Sequence, residues 1–320
     1  MAIARLLRRN RILGERQAEL RARERELLER LAKALGRFGP DVNADDMRHF
    51  RQATEQLSGL FMLVIAGEFN SGKSSFINSL LGERVLPEGV TPTTDRINLL
   101  RHGDEPGEEL VEAYLLERRH PAELLRDLHI VDTPGTNAVI REHEELTRDF
   151  VPRSDLVIFV TSADRPFTES ERSFLEQIRA WGKKIVFVVN KIDLLPDPGE
   201  RQQVIDFVST NARSLLGEAP VVLPVSSRLA RDARASGDER GWEISGFAAV
   251  DDYLLNTLDQ AERVKLKLLN PLNVGLTLAG RYKDTAFERL KLLTDDVATL
   301  QNIDAQLATF HAEMLRDFEP

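Results

Sequence analysis

Hydrophobic positions along this chain follow two periods. In the middle, short continuous apolar runs alternate with charged, helix-periodic stretches. Phe61-Met62-Leu63-Val64-Ile65-Ala66 and Lys184-Ile185-Val186-Phe187-Val188-Val189 are runs without polar alternation. Such runs read as strands covered on both faces, which is the habit of parallel sheets. Leu128-His129-Ile130-Val131 and Val221-Val222-Leu223 are shorter runs of the same kind. Strands alternating with helices from residue 61 to 225 predict an α/β fold with a mostly parallel central sheet. At both ends the period is helical. Residues 2 to 36 read as one helix, with Leu6, Leu13, Leu20 and Leu27 at heptad spacing and Leu7, Leu28, Leu31 and Leu35 widening the stripe. Gly36, Gly39 and Pro40 stop it. Roughly Val250 to Phe318 is helical again, and Asn270-Pro271 is expected to kink or break it. Leu290, Leu293, Val297, Leu300, Ile303, Leu307 and Phe310 form an apolar stripe on the last helix. Such helices need a partner. They predict a helical bundle built from both chain ends, the alternative being that they simply cover the sheet.

The strand ends carry the candidate chemistry. Gly67-Glu68-Phe69-Asn70-Ser71-Gly72-Lys73-Ser74 fits G-x-x-x-x-G-K-[ST], directly after one strand and directly before the helix-periodic Ser75-Phe76-Ile77-Asn78-Ser79-Leu80-Leu81. Strand, glycine loop and helix form the context in which backbone N–H groups and a helix N-terminus cradle phosphates. Gly67, Asn70, Ser71, Gly72, Lys73, Ser74 and Ser75 are the candidate phosphate-binding residues. Lys73 would supply a full charge to the β- and γ-phosphates, and Ser74 a hydroxyl to Mg²⁺. Asn190-Lys191-Ile192-Asp193 follows the second long run. A carboxylate accepts two hydrogen bonds, and guanine offers two donors on one edge where adenine does not, so Asp193 would select guanine. Asn190 would tie this loop to the phosphate loop, and the Lys191 stem would cover the base. Asp132-Thr133-Pro134-Gly135 ends the third strand. Asp132 would hold Mg²⁺ through water, and the Gly135 N–H would sense the γ-phosphate. Thr91-Pro92-Thr93-Thr94 lies where a switch threonine would complete the Mg²⁺ shell. Ser226 and Ser227, after the last strand, would bring backbone to the guanine O6.

Composition narrows the class. The chain has 320 residues, 42% of them hydrophobic and 30% charged, enough for one nucleotide-binding domain with helical additions. Lys and Arg number 43 against 52 Asp and Glu, a net charge of −9, which argues against a general nucleic-acid coat. There is no cysteine, hence neither disulfide nor thiolate metal site. No apolar run reaches the length of about 18 residues that spans a bilayer, and no secretory h-region is apparent. The expectation is a cytoplasmic protein, with peripheral membrane contact as the second option. Arg5, Arg8, Arg9 and Arg11, interleaved with apolar residues, suit either a solvated bundle face or a helix on anionic lipid. Glu142, His143, Glu144 and Glu145 are adjacent in sequence and so do not face one another on a helix.

Five motifs in this order resemble a P-loop GTPase domain, and the residues around them resemble the dynamin superfamily, bacterial dynamin-like proteins in particular. The resembling stretches are residues 67–78, Leu86-Pro87-Glu88-Gly89-Val90-Thr91-Pro92-Thr93-Thr94, Asp132-Thr133-Pro134-Gly135-Thr136 and Ser154-Asp155-Leu156-Val157-Ile158-Phe159-Val160. The resemblance implies a GTPase head over residues 39–260, with neck helices at 1–38 and 261–320 that transmit nucleotide state. It implies hydrolysis of GTP to GDP and phosphate with Mg²⁺ held by Ser74, Thr94 and Asp132. It makes Lys73, Ser74, Thr94, Asn70 and Gly135 the catalytic candidates, with Thr94 the switch residue in preference to Thr93. Thr136 stands where Ras-like proteins carry a water-orienting glutamine. The resemblance therefore implies a slow GTPase accelerated when two heads meet across their nucleotides, in a transient homodimer that remodels anionic membrane. Phe69 and Asn70 stand where dynamin has a Gln-Ser pair, and only Asn70 retains a polar group. The long helical stalk usual in dynamin relatives is absent from this stretch, so a shortened relative or a piece of a longer chain is expected. Two other readings stay open: a ribosome-assembly or translation-type GTPase, and a GTP-gated interaction module without useful turnover.

Overall fold

A computed structural model describes residues 15–89, 96–133, 150–254 and 260–318. The chain divides into two units, Met1–Gly275 and Leu276–Pro320. The first holds an eight-stranded sheet: β1 Phe61–Ala66, β2 Ile97–His102, β3 Gly107–Glu112, β4 Leu115–His120, β5 Leu128–Asp132, β6 Leu156–Ser162, β7 Ile185–Asn190 and β8 Val221–Pro224. Its spatial order is β3-β4-β2-β5-β1-β6-β7-β8. The five strands β5, β1, β6, β7 and β8 are parallel neighbours. The helices are α1 Glu15–Gly36, α2 Ala44–Gln56, α3 Lys73–Leu81, α4 Glu169–Arg179, α5 Pro198–Leu216, α6 Ser227–Ser236, α7 Glu239–Ile244, α8 Phe247–Asp252 and α9 Gln260–Phe318.

The continuous apolar runs are explained by burial on both faces. Leu63 and Ile65 of β1 join a layer with Phe76, Ile77 and Leu80 of α3, whereas Met62, Val64 and Ala66 join Phe174, Leu175 and Ile178 of α4 on the other side. At about 25 cal/mol per Å² of apolar surface removed from water, these two layers supply the main stabilisation of the head. Every residue of β1, β6 and β7 is buried.

The mostly parallel sheet has an antiparallel extension. β2 pairs antiparallel with β5, β3 pairs antiparallel with β4, and β2 pairs parallel with β4. β3 is exposed along its whole length and carries Glu108 and Glu109, which form ion pairs with Arg118 and Arg119 of β4. A charged, solvated edge of this kind hides both the apolar run and the alternation by which strands are read.

The flanking helices correct three expectations. The buried face of α1 is Glu24, Leu28 and Leu35, while Leu20 and Leu27 of the heptad series are exposed. The buried positions, 24, 28 and 35, stand one residue or more off the 20/27 series, so the face that packs is the one carrying Leu28 and Leu35. A Cβ placed on Gly275 of α9 would lie 3.1 Å from Leu31, 3.4 Å from Phe50 of α2 and 3.5 Å from Leu28. Helices that precede and follow the sheet in the chain therefore meet closely at a glycine. Second, Pro271 lies inside α9 and does not break it. Its neighbour Asn270 is buried and donates to Arg153 O (3.1 Å) and Asp155 Oδ1 (3.2 Å), so tertiary bonds hold this turn in helical form despite the lost N–H. Third, the stripe Leu290 to Phe310, expected to pack in the bundle, is exposed. That stripe belongs to the second unit, which is helix throughout its described length. Leu6, Leu13, the arginine cluster at 5–11 and residues 142–145 lie outside the described residues.

Candidate nucleotide site

The site is built at the carboxyl ends of the parallel strands, where ligands of open α/β sheets bind. The chain leaves β1 at Gly67, whose φ is +146°; a Cβ there would lie 2.0 Å from Val160 O of β6. It enters α3 through Gly72, whose φ is +89° and whose Cβ would lie 2.3 Å from the Asn190 side-chain nitrogen. Neither position accepts a side chain without moving backbone or a buried amide. Between them Asn70 is left-handed at φ +61° and exposed. The loop wraps around Lys73, whose ammonium donates to Gly67 O (3.0 Å) and Glu68 O (2.9 Å). Burial pushes this lysine down to about 8, against the pull of Asp132, Glu171 and Glu68.

Ser74 Oγ donates to Asp132 Oδ2 at 3.0 Å. Asp132 ends β5, is fully buried, and its other oxygen, Oδ1, has no hydrogen-bond partner. Burial pushes its carboxyl up to about 6, with Lys73 and the Ser74 hydroxyl opposing. A hydroxyl on the cleft wall and a buried carboxylate with an unsatisfied oxygen, beside a phosphate loop, suit a hard divalent cation that keeps most of its waters. The described residues contain no cluster of three acidic or histidine side chains that would form an all-protein cage instead. Thr133, next in chain, donates its hydroxyl to Ile65 O (3.0 Å) and so locks β5 to β1.

Asn190, at the end of β7, joins three segments. Its Nδ2 donates to Ser71 O (3.0 Å) and Gly72 O (3.3 Å). Its Oδ1 accepts from Lys191 N (2.8 Å), Ser227 N (3.1 Å) and Ser227 Oγ (3.1 Å). Lys191 takes φ +62° and reaches Asn70 O with its ammonium. Asp193 accepts from the Ser226 hydroxyl on Oδ1 and from Arg228 Nε on Oδ2 (3.0 Å). Burial works to raise this carboxyl, but the bonds from Ser226 and Arg228 outweigh it and hold it below the usual range. Ser226 also caps α6, accepting from Leu229 N (3.1 Å).

These residues surround a cleft of about 830 Å³. Asn70, Gly72, Lys73, Ser74, Ser75 and Lys191 of the expected set line it. Asp132, Asn190, Ser226 and Ser227 stand behind these as buried supports, and Gly67 and Ser71 shape the loop. Asp193 is reached through Arg228, which is itself on the cleft wall. Thr94, Gly135 and Thr136 lie outside the described residues. The sequence reading missed Arg84, Glu88, Arg228 and Arg231, which also line the cleft. Glu88 lies inside a quoted stretch and Arg228 directly after Ser226-Ser227, but neither a loop carboxylate nor a guanidinium on a helix surface is marked by its spacing as a cleft residue.

Comparison with known proteins agrees with this geometry. The family model described as 50S ribosome-binding GTPase matches residues 62–191. A probable transmembrane GTPase, FZO-like and chloroplastic, of Arabidopsis thaliana is 37% identical over 82% of this chain and 31% of its own length. A bacterial dynamin-like protein of Nostoc punctiforme is 24% identical over 90% of this chain and 51% of its own. The chain thus spans 31% to 51% of the length of these relatives. A solved structure from an oligomerised bacterial dynamin pair, described as a mechanism for long-range sensing and tethering of membranes, shares the fold at TM-score 0.57 and 20% identity. It is covered over 53% of its length, by 96% of this chain. With its phosphate loop, N-K-x-D loop and paired Ser74 and Asp132 in one cleft, this chain belongs to the dynamin superfamily of GTPases.

Proposed function

We propose that this chain binds GTP in the cleft and hydrolyses it to GDP and phosphate, in a head that pairs with a second copy across the nucleotide face and couples turnover to membrane remodelling. The observation that carries the nucleotide reading is Asn190. One buried amide joins the phosphate loop, the N-K-x-D loop and the Ser226–Ser227 turn, so phosphate and base recognition share one rigid unit. Lys73 brings its charge to the β- and γ-phosphates by exchanging its bonds to Gly67 O and Glu68 O for phosphate oxygens. Asp193 accepts the two guanine donors on one edge, with Arg228 yielding its place.

Ser74, Asp132 and Thr94 are the residues that would hold Mg²⁺. When bound, the ion neutralises charge developing on the phosphate oxygens. Gly135 offers its N–H to the γ-phosphate. With Thr136 in the glutamine position, no side chain of that type orients the attacking water. Asn70, exposed on the cleft wall, is the polar amide that the phosphate loop offers instead. A facing head that orders these loops supplies what a lone head lacks. The head is residues 39–260, and 1–38 with 261–320 form the neck. Membrane coupling draws on the relatives: one carries the name of a probable transmembrane GTPase, and another is described as tethering membranes. Among the described residues, no helix is long and apolar enough to cross a membrane; the contact with anionic lipid in this reading is peripheral.

The ribosome-directed reading is favoured by the description of the matched family model. That match ends at residue 191, inside the head, whereas the dynamin-like relative from Nostoc extends over 90% of the chain. Turnover of GTP and ATP by the purified chain tests the proposal. Efficient use of GTP, with ATP at least about 10²-fold poorer, is the expected result. Equal use of both nucleotides, or of neither, contradicts it.

A further inference from the structure

Glu88 is an acidic side chain in the wall of a cleft read as a phosphate site. A carboxylate there repels the ligand. Its contacts explain why it is tolerated. Oε2 accepts the Ser75 hydroxyl (3.1 Å), Oε1 accepts the Asn78 amide (2.7 Å), and Arg231 Nη1 pairs with Oε2 at 3.0 Å. Ser75 lies in the first turn of α3, next to Ser74, and it lines the cleft together with Arg231. A hydroxyl in the first turn of a helix and a guanidinium are donors that phosphate oxygens take. Glu88 holds both in the way that a phosphate would.

The position of Glu88 in the chain gives this a consequence. Asn78 is buried and clips the preceding loop to α3: its Oδ1 accepts from Val85 N (2.9 Å) and Leu86 N (2.8 Å), and its Nδ2 donates to Leu86 O (2.9 Å). Leu86 is itself buried in the core. The backbone is thus fixed through residue 86. The Glu88 side chain is the next anchor, three residues before Thr91-Pro92-Thr93-Thr94.

We propose that Glu88 is an internal anion that the nucleotide phosphate displaces from Ser75 and Arg231. The inference rests on the GTP reading of the cleft and adds a built-in competitor for its phosphate donors. Neutralising Glu88 removes both the repulsion and the competition for Ser75 and Arg231. It therefore tightens phosphate-bearing ligands selectively.

The test measures the affinities of GDP, GMP and guanosine, with Mg²⁺ at low salt, for the wild type, Glu88→Gln and Arg231→Met. Glu88→Gln is expected to bind GDP and GMP about three- to thirtyfold more tightly, with guanosine unchanged. Arg231→Met is expected to weaken GDP and GMP by a comparable factor, again without change for guanosine. A residue that only braces the loop would move all three ligands together. Glu88→Gln that melts like the wild type yet binds GDP no more tightly overturns the proposal, as does an equal shift for guanosine. If Glu88→Gln fails to fold, Arg231→Met decides, and unchanged GDP binding by that variant overturns it. Wild type that binds no GDP sinks the GTP reading itself, an outcome distinct from failure of the Glu88 assignment.

Discussion

At the scale of single residues, the account depends on side chains whose charges are buried. Lys73 is 7% exposed and Asp132 is fully buried, so each costs desolvation unless a ligand compensates it. Lys73→Ala removes the charge that the phosphates need, and it is expected to lower GTP turnover by at least about 10²-fold. Wild-type turnover by that variant, followed as phosphate release, would refute the site assignment. Asp193→Asn keeps the shape but presents a donor where an acceptor is needed. The loss of a charge-assisted pair is about 1.5–3 kcal/mol per bond, so GTP preference over ATP should fall roughly 10–10²-fold. Competition of ATP against labelled GDP reads this, and undiminished selectivity means that the base is read elsewhere. Glu88 belongs to the same scale, as a charge placed where a ligand charge must go.

At the scale of elements, the joint between the sheet and α9 is a buried polar cluster. Lys183, just before β7, donates to Pro152 O (2.7 Å), Ser154 O (3.2 Å) and the Asn270 side chain. Asp155 accepts from Met62 N (2.9 Å), Lys267 (2.9 Å) and Asn270. Burial pushes the Lys183 ammonium down to about 7, with Asp155 opposing. The unfolded lysine keeps its proton up to about 10.4. Between these values the unfolded chain binds more protons than the folded one, so this group makes stability rise with pH from about 7 to 10.4. Below about 7 both states are charged and its contribution is flat. Lys183→Met is expected to lose this rise and to be less stable by about 1–3 kcal/mol, because three oxygens lose their donor. Chemical denaturation at several pH values checks it; an identical pH slope in both proteins contradicts it. The elements differ in how far the sequence announces them. β1 and β7 are legible because burial on both faces leaves an unbroken apolar run. β2 to β4 are not, because their outer edge is paired by charges such as Glu108 with Arg118. The continuity of α9 through Pro271 is also hidden, since Asn270 holds it through partners more than a hundred residues away at Arg153 and Asp155. The site was legible in its short motifs, whose spacing is fixed by backbone geometry at Gly67 and Gly72. It was illegible at Glu88, Arg228 and Arg231, which reach the cleft from loops and a helix with no pattern of their own.

At the scale of the whole molecule, the central claim is that a head lacking a water-orienting glutamine at Thr136 completes its site by meeting another head. The measurement that tests this most directly is GTP turnover per molecule against protein concentration, with and without anionic liposomes. The account predicts a specific rate that climbs with concentration and climbs further on liposomes. A flat, slow rate across both conditions contradicts it.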